Sequence, residues 1–236
     1  LAAYGVQQFL ANPRLELYNH EGQSVSTNED WDDHGDVDIL DLLTSDLGAF
    51  SFEKGSLDSA IHEVLEESVY SVQLRDSSNS TGIGLAEVYL VPDKENPTVT
   101  SLRNISFRAK YEPGEIAPVA GFVVRDPLML SRSANILIRG IGPSLGTYGV
   151  TNPLADPTLL IFDGDGNLLK TSNDWGESDM SGLISQAVSQ VGAFALDESS
   201  LDAAVIMEVQ PGAYTATISS ADETVGIVLI EIYLVD

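Results

Sequence analysis

The chain of 236 residues has no cysteine, only 3 histidines, and 11 lysines and arginines against 36 aspartates and glutamates. Without cysteine there is no disulfide framework, no thiolate nucleophile and no zinc-thiolate site. This leaves the compartment open, since many exported bacterial proteins also lack cysteine. A net charge of -25 repels phosphate and argues against nucleic acid as a partner. No apolar run reaches the length of a membrane-spanning helix, so membrane insertion is not expected. There is neither an initiator Met nor a charged and then apolar leader at Leu1, and the sequence reads as a mature or excised piece of a longer polypeptide.

What the chain has is an internal repeat. A shift of 144 positions lays residues 1–92 over residues 145–236 without a gap. Trp31 meets Trp175, Gly48-Ala49-Phe50 meets Gly192-Ala193-Phe194, Ser56-Leu57-Asp58 meets Ser200-Leu201-Asp202, and Glu87-Val88-Tyr89-Leu90-Val91 meets Glu231-Ile232-Tyr233-Leu234-Val235. Self-similarity at a fixed offset defines the unit before any element is assigned. Residues 103–144 have no counterpart ahead of Leu1, so two second halves accompany one first half. The expected organisation is an incomplete first unit at 1–92 lacking its first three strands, a linker at 93–102 and a complete second unit at 103–236. Pro92 to Thr98, polar and holding two prolines, marks the boundary.

Charge divides along the same lines. Residues 1–92 hold 17 acidic and 3 basic side chains, residues 145–236 hold 14 and 1, and residues 103–144 hold 3 and 6. A basic first half therefore joins an acidic second half. The acidic excess serves solubility, unless cations or the basic segment neutralise particular acidic faces.

A hydrophobic content of 43% is ample for real cores. Ile105 to Tyr111, Val119 to Arg125 and Asn135 to Ile141 are rich in β-branched or aromatic residues and bounded by Pro or Gly, which predicts strands. Thr158 to Phe162 and Asn167 to Thr171 flank Asp163-Gly164-Asp165-Gly166 as a hairpin. Ala204 to Val209, Ala213 to Ser219 and Gly226 to Val235 complete the set. Leu183, Ile184, Ala187, Val188 and Val191 instead fall at helical spacing, repeated by Ile39, Leu40, Leu43 and Leu47. The fold class predicted is mainly all-β, with tandem β-sandwich units of jelly-roll or Greek-key type and one short helix in each.

The runs Arg103-Asn104-Ile105-Ser106, Ala120-Gly121-Phe122-Val123, Ile138-Arg139-Gly140-Ile141-Gly142-Pro143-Ser144-Leu145, Asn173-Asp174-Trp175, Gly192-Ala193-Phe194-Ala195-Leu196 and Pro211-Gly212-Ala213-Tyr214-Thr215-Ala216 resemble an uncharacterised repeat of very large secreted or surface proteins of environmental bacteria. More loosely, the second half resembles the pre-peptidase C-terminal β-sandwich modules appended to secreted bacterial peptidases, through a strand, Asp-Gly-x-Gly-Asn and Pro-Gly-x-Tyr. The resemblance implies an extracellular module without a known chemistry.

Several residues are candidates for a site. Asp163, Asp165 and Asn167 alternate as in the front of a calcium loop, with Asp174 at the twelfth position. Leu168 stands where such a loop wants Gly and Asp replaces the bidentate Glu, so a plain hairpin turn, which Asp and Gly also favour, is the preferred reading. The counterparts Asn19, Glu21, Gln23 and Asp30 keep only a faint version of the pattern. The run Glu29-Asp30-Trp31-Asp32-Asp33, with Asp36 and Asp38, suits either cations or a solvated lead into a helix N-terminus. Glu231 lies in a strand apolar on both faces, where a carboxylate is costly unless paired. Arg139, similarly embedded, is its expected partner unless either reaches solvent at an edge, and whatever completes the first unit is expected to carry an Arg facing Glu87. Trp31 and Trp175 suit sugar faces, but recurrence in both units favours anchoring roles. His20, His34 and His62 align with Gly164, Ser178 and Ile206, so a Ser/His/Asp site finds no support. Carboxylate pairs for glycoside hydrolysis are not singled out. Gly140-Ile141-Gly142-Pro143 lacks dinucleotide-loop spacing and reads as a turn.

The expectation is a non-catalytic structural repeat module of an extracellular fibre, filament or cell-surface array, whose partners are neighbouring copies or repeat units, one of them completing residues 1–92. The alternative is a polysaccharide- or surface-binding accessory module of a secreted protein.

Overall fold

A computed structural model describes residues 6–33, 35, 37–47, 49–91, 101–115, 117–124 and 133–235. Most of the expected linker, Asp36 and Arg125 lie outside these residues. The chain divides into two compact units, Leu1–Thr100 and Ser101–Asp236.

The second unit is a β-sandwich. Its strands are β4 (Asn104–Tyr111), β5 (Val119–Val124), β6 (Ala134–Ile141), β7 (Pro157–Asp163), β8 (Leu168–Ser172), β9 (Ala203–Val209), β10 (Gly212–Ser220) and β11 (Gly226–Val235), with helix α2 (Ser181–Gln190) between β8 and β9. They form two antiparallel sheets, ordered β5-β10-β7-β8 and β4-β11-β6-β9. Apart from the β7-β8 hairpin, each strand lies in the opposite sheet from the one before it, which is jelly-roll connectivity.

Between the sheets, Ile136, Ile138, Leu159, Ile161, Ile218, Val228 and Ile230 interdigitate as the main core. Burial of each such side chain contributes roughly 1.5–3 kcal/mol relative to exposure. The outer face of the β4-β11-β6-β9 sheet is covered as well. Leu137, Ile141, Ala204 and Val235 pack there against Leu145, Trp175, Leu196 and the Ile184, Ala187 and Val188 face of α2. Cover on both faces explains why β6 and β11 read as near-continuous apolar runs rather than as alternating ones. Leu183, although at helical spacing, points outward and is exposed.

The first unit contains β1 (Pro13–Tyr18), β2 (Ser24–Asn28), helix α1 (Val37–Leu47) and β3 (Ser71–Asp76). Its single sheet, β2-β1-β3, matches the β8-β7-β10 part of the sister sheet strand for strand. Residues 59–65 and 82–91, the counterparts of β9 and β11, belong to no strand. In the sister, β11 pairs with β4 and β6, and β9 pairs with β6. Every ladder partner of these two strands therefore comes from the first half, and they cannot satisfy each other because β6 lies between them.

The shared parts agree in fine detail. An isolated parallel bridge joins Phe9 to Ile83 in one unit and Pro153 to Ile227 in the other. It is held by Leu10 N–H to Ile83 O and Ile83 N–H to Gln8 O at 2.9 and 2.8 Å, against 2.8 Å for both Leu154 N–H to Ile227 O and Ile227 N–H to Asn152 O. A Cβ on Gly82 would stand 2.7 Å from the Phe9 carbonyl carbon, and one on Gly226 would stand 2.5 Å from Leu154 backbone, so both crossings require glycine.

Candidate functional site

The most polar feature of the buried interior lies on the outer face of the β4-β11-β6-β9 sheet. Arg139 on β6 and Glu231 on β11 are direct partners in the ladder. Arg139 is fully buried and Glu231 is 6% exposed. Arg139 Nε donates to Glu231 Oε2 at 2.9 Å, Nη2 donates to the same oxygen, and Nη1 donates to the Phe194 carbonyl at 2.6 Å. The guanidinium carbon lies 4.4 Å from the Phe194 ring centre and 5.8 Å from that of Tyr233, within reach of cation-π attraction. Tyr233 donates its hydroxyl to Glu231 Oε1 at 2.9 Å, so both carboxylate oxygens have donors. Burial first, and then the neighbouring Glu231 charge and the bond to it, push the Tyr233 phenol well above its ordinary range. At neutral pH it remains a proton-bearing donor.

A second joint lies nearby. Asp202, fully buried just before β9, accepts from Gly142 N–H at 2.8 Å, from Ser144 N–H at 3.4 Å and from the Ser144 hydroxyl. Its backbone carbonyl accepts from Trp175 N–H at 2.9 Å. A Cβ at position 142 would fall 2.1 Å from the Leu154 carbonyl oxygen, which dictates glycine there. Both joints link residues of the first half, 139 to 144, with carboxylates of the second. Groups so fully occupied bind the fold together and offer nothing to a reacting substrate.

The first unit carries the receiving side of both joints. Tyr89 donates to Glu87 Oε1 at 3.0 Å, as Tyr233 does to Glu231. Glu87 is exposed, and no basic side chain among the described residues is paired with it. The Asp58 carbonyl accepts from Trp31 N–H at 2.8 Å, as in the sister, while no donor among the described residues bonds its carboxylate.

The four residues considered for a calcium loop lie in and just beyond the β7-β8 hairpin. Asp163 accepts from Asp165 N–H, Asn167 N–H and Asn167 Nδ2 at 3.0, 2.8 and 3.0 Å, closing the hairpin turn on itself. Those bonds, led by the Asn167 side chain, lower its pKa. Because Leu159 on β7 pairs with Ser172 on β8, the hairpin carries Asp174 to the end opposite that turn. The four residues do not converge, and the described residues hold no group of three acidic or histidine side chains placed to take a metal. Asp174 instead neighbours Asp156, whose pKa is raised by burial and then by the charges of Asp174 and Asp222.

Trp31 and Trp175 are 2% and 3% exposed. Their indole N–H groups donate to the Glu53 and Asp197 carbonyls at 3.2 and 3.0 Å. Both rings anchor loops, and neither face is open to a sugar.

Sequence reasoning missed two clusters. Asp202 lies in an ordinary Ser-Leu-Asp run, and its partners are mostly backbone groups about sixty residues away. The other is Glu16 on β1, buried at 5% exposure, held by Arg14 and Arg75 and by the Tyr18 hydroxyl at 2.8 Å. The available signal was scarcity: Arg14 and Arg75 are two of only three basic residues in 1–92.

No family model matches the chain, and no curated protein matches it. Among solved structures, the chain is similar to the pre-peptidase C-terminal domain of collagenase from Bacillus anthracis, at 14% identity and a TM-score of 0.33, with 55% of this chain and 89% of that one covered. The sandwich assignment rests on the sheets described above rather than on this match. No helix among the described residues is long and apolar enough to cross a membrane.

Proposed function

We propose that the chain is a non-catalytic structural repeat module of an extracellular fibre, filament or surface array, assembled end to end from β-sandwich units. The observation that carries this reading is the use made of the buried charges. Arg139, Glu231 and Asp202 are consumed in welding the two halves of one unit, and the sequence repeats the receiving half of that weld. Such a module works mechanically: the sheets resist extension, and contacts between neighbouring repeat units set the length. The polysaccharide-binding alternative named the tryptophans as platforms, and their burial removes that support. Electron microscopy of the native material tests the proposal. Filaments with an axial repeat of one or two units are expected, and isolated particles that bind polysaccharide would overturn it.

A further inference from the structure

Resting on the array reading, we infer that the first unit is an acceptor for one particular occupant, a second copy of the segment 101–144, recognised through Glu87 and Asp58. The acceptor is defined by what the sister unit does with the same residues. Around β11, the segment supplies β4 on one side and β6 on the other; beyond β6 it pairs with β9. It delivers the Arg139 guanidinium to Glu231, then, three to five residues later, the Gly142 N–H and the Ser144 N–H and hydroxyl to Asp202. In the first unit, Glu87 and Asp58 occupy the equivalent positions, no such donor among the described residues bonds either carboxylate, and Tyr89 already orients Glu87.

The acceptor is held in register. The bridge between Phe9 and Ile83 fixes residue 83 as its twin fixes residue 227, and Glu87 follows that bridge by four residues just as Glu231 follows its own. Leu10 matches Leu154, whose carbonyl lies against Gly142 and leaves no room for a Cβ. Charge complementarity points to the same occupant: 17 acidic side chains against 3 basic ones in residues 1–92, and 6 basic against 3 acidic in residues 103–144. Val64, Leu65, Leu85, Val88 and Leu90, exposed in the first unit, lie in the two segments that this occupant would pair. Recognition is by strand addition, with the arginine and the Gly-x-Ser turn setting register.

The test extends the full chain at its N-terminus with a second copy of residues 101–144, joined by a flexible linker, and follows amide exchange. Exchange across 59–65 and 82–91 is expected to slow at least ~100-fold relative to the unextended chain. Arg139→Gln in the added copy alone should reverse most of that gain. Protection across 203–209 and 226–235 in the same molecule reports whether the extended chain has folded, and if the extension aggregates the segment is supplied as a separate peptide. Unchanged exchange at 59–65 and 82–91 in a folded molecule would overturn the inference. So would an unextended chain that dimerises with these amides already protected, which would make a whole second chain the occupant. Filaments without protection refute this assignment alone, and protection without filaments refutes the array reading alone.

Discussion

Residues 82–91 and 226–235 share Gly-Ile, Leu, Glu, Tyr-Leu-Val at matching positions and begin at the same bridge, yet only the second stretch is a strand. The difference lies in what stands beside them. In the sister unit, β11 has β4 on one flank and β6 on the other, and the ladder supplies partners for its N–H and C=O groups. The same residues have high β propensity but, beyond the bridge at Ile83, form no ladder with any described strand. Strand formation here is a property of the pair of halves, in keeping with the context dependence of β propensity. By contrast β1, β2 and β3 bring their own neighbours and form their sheet without the first half.

The sharpest way to break this comparison is to remove equivalent carboxylates from the two units. Each unit can be followed by its own tryptophan in denaturant unfolding, with the other tryptophan replaced by phenylalanine. Glu231→Ala leaves Arg139 buried and uncompensated and should cost about 3–5 kcal/mol. Glu87→Ala removes an exposed group and should change the stability of the first unit by less than ~0.5 kcal/mol. Equal losses would contradict the claim that only one unit has its clasp closed.

The aspartate joint gives a smaller contrast. Asp202→Ala strips the partners from the Gly142 and Ser144 donors and should cost about 2–3 kcal/mol. Asp58→Ala, with the backbone bond to Trp31 retained, should cost less than ~1 kcal/mol. The same unfolding curves read both.

The smallest effect concerns Asp156, which corresponds to Asn12 in the first unit. Its folded pKa is raised above the ordinary carboxyl value of 3.8, chiefly by burial. A raised pKa means that the folded state favours the protonated form. Its stabilising contribution is therefore complete below the unfolded value and is lost as pH rises through the folded value. Asp156→Asn should accordingly raise the melting temperature at pH 7 by roughly 2 °C, a gain that shrinks as the pH falls towards 3.8. A gain that persists unchanged in acid would rule out relief of the buried charge as its cause.

Much of this was legible from residue order. Runs of β-branched residues marked the strands of the second unit, and period 3.6 marked both helices. Arg139 and Glu231 stood out because each is a charge inside an apolar run, where only pairing offsets desolvation. Asp202 was illegible because nothing distinguishes one aspartate among 36 acidic residues until the fold turns backbone N–H groups towards it. Glu16 was hidden in the same way, since an alternating Arg-Leu-Glu strand reads as an exposed face until Arg75 closes over it from β3. The spacing of Asp163, Asp165 and Asn167 favoured a hairpin turn without separating it from the front of a calcium loop, because both use the same residues, and the position of Asp174 at the far end of the hairpin sets them apart.

Residue-resolved amide exchange on the full chain tests the central claim most directly, because it reads backbone pairing in both units of one molecule. Residues 203–209 and 226–235 are predicted to be protected at the level of the global stability of their unit, and residues 61–65 and 84–88, which follow the bonded N–H groups of Ala60 and Ile83, to exchange far faster. Comparable protection of the two sets in a monomeric chain would contradict the account, since it would mean that the second half of the repeat closes without the first.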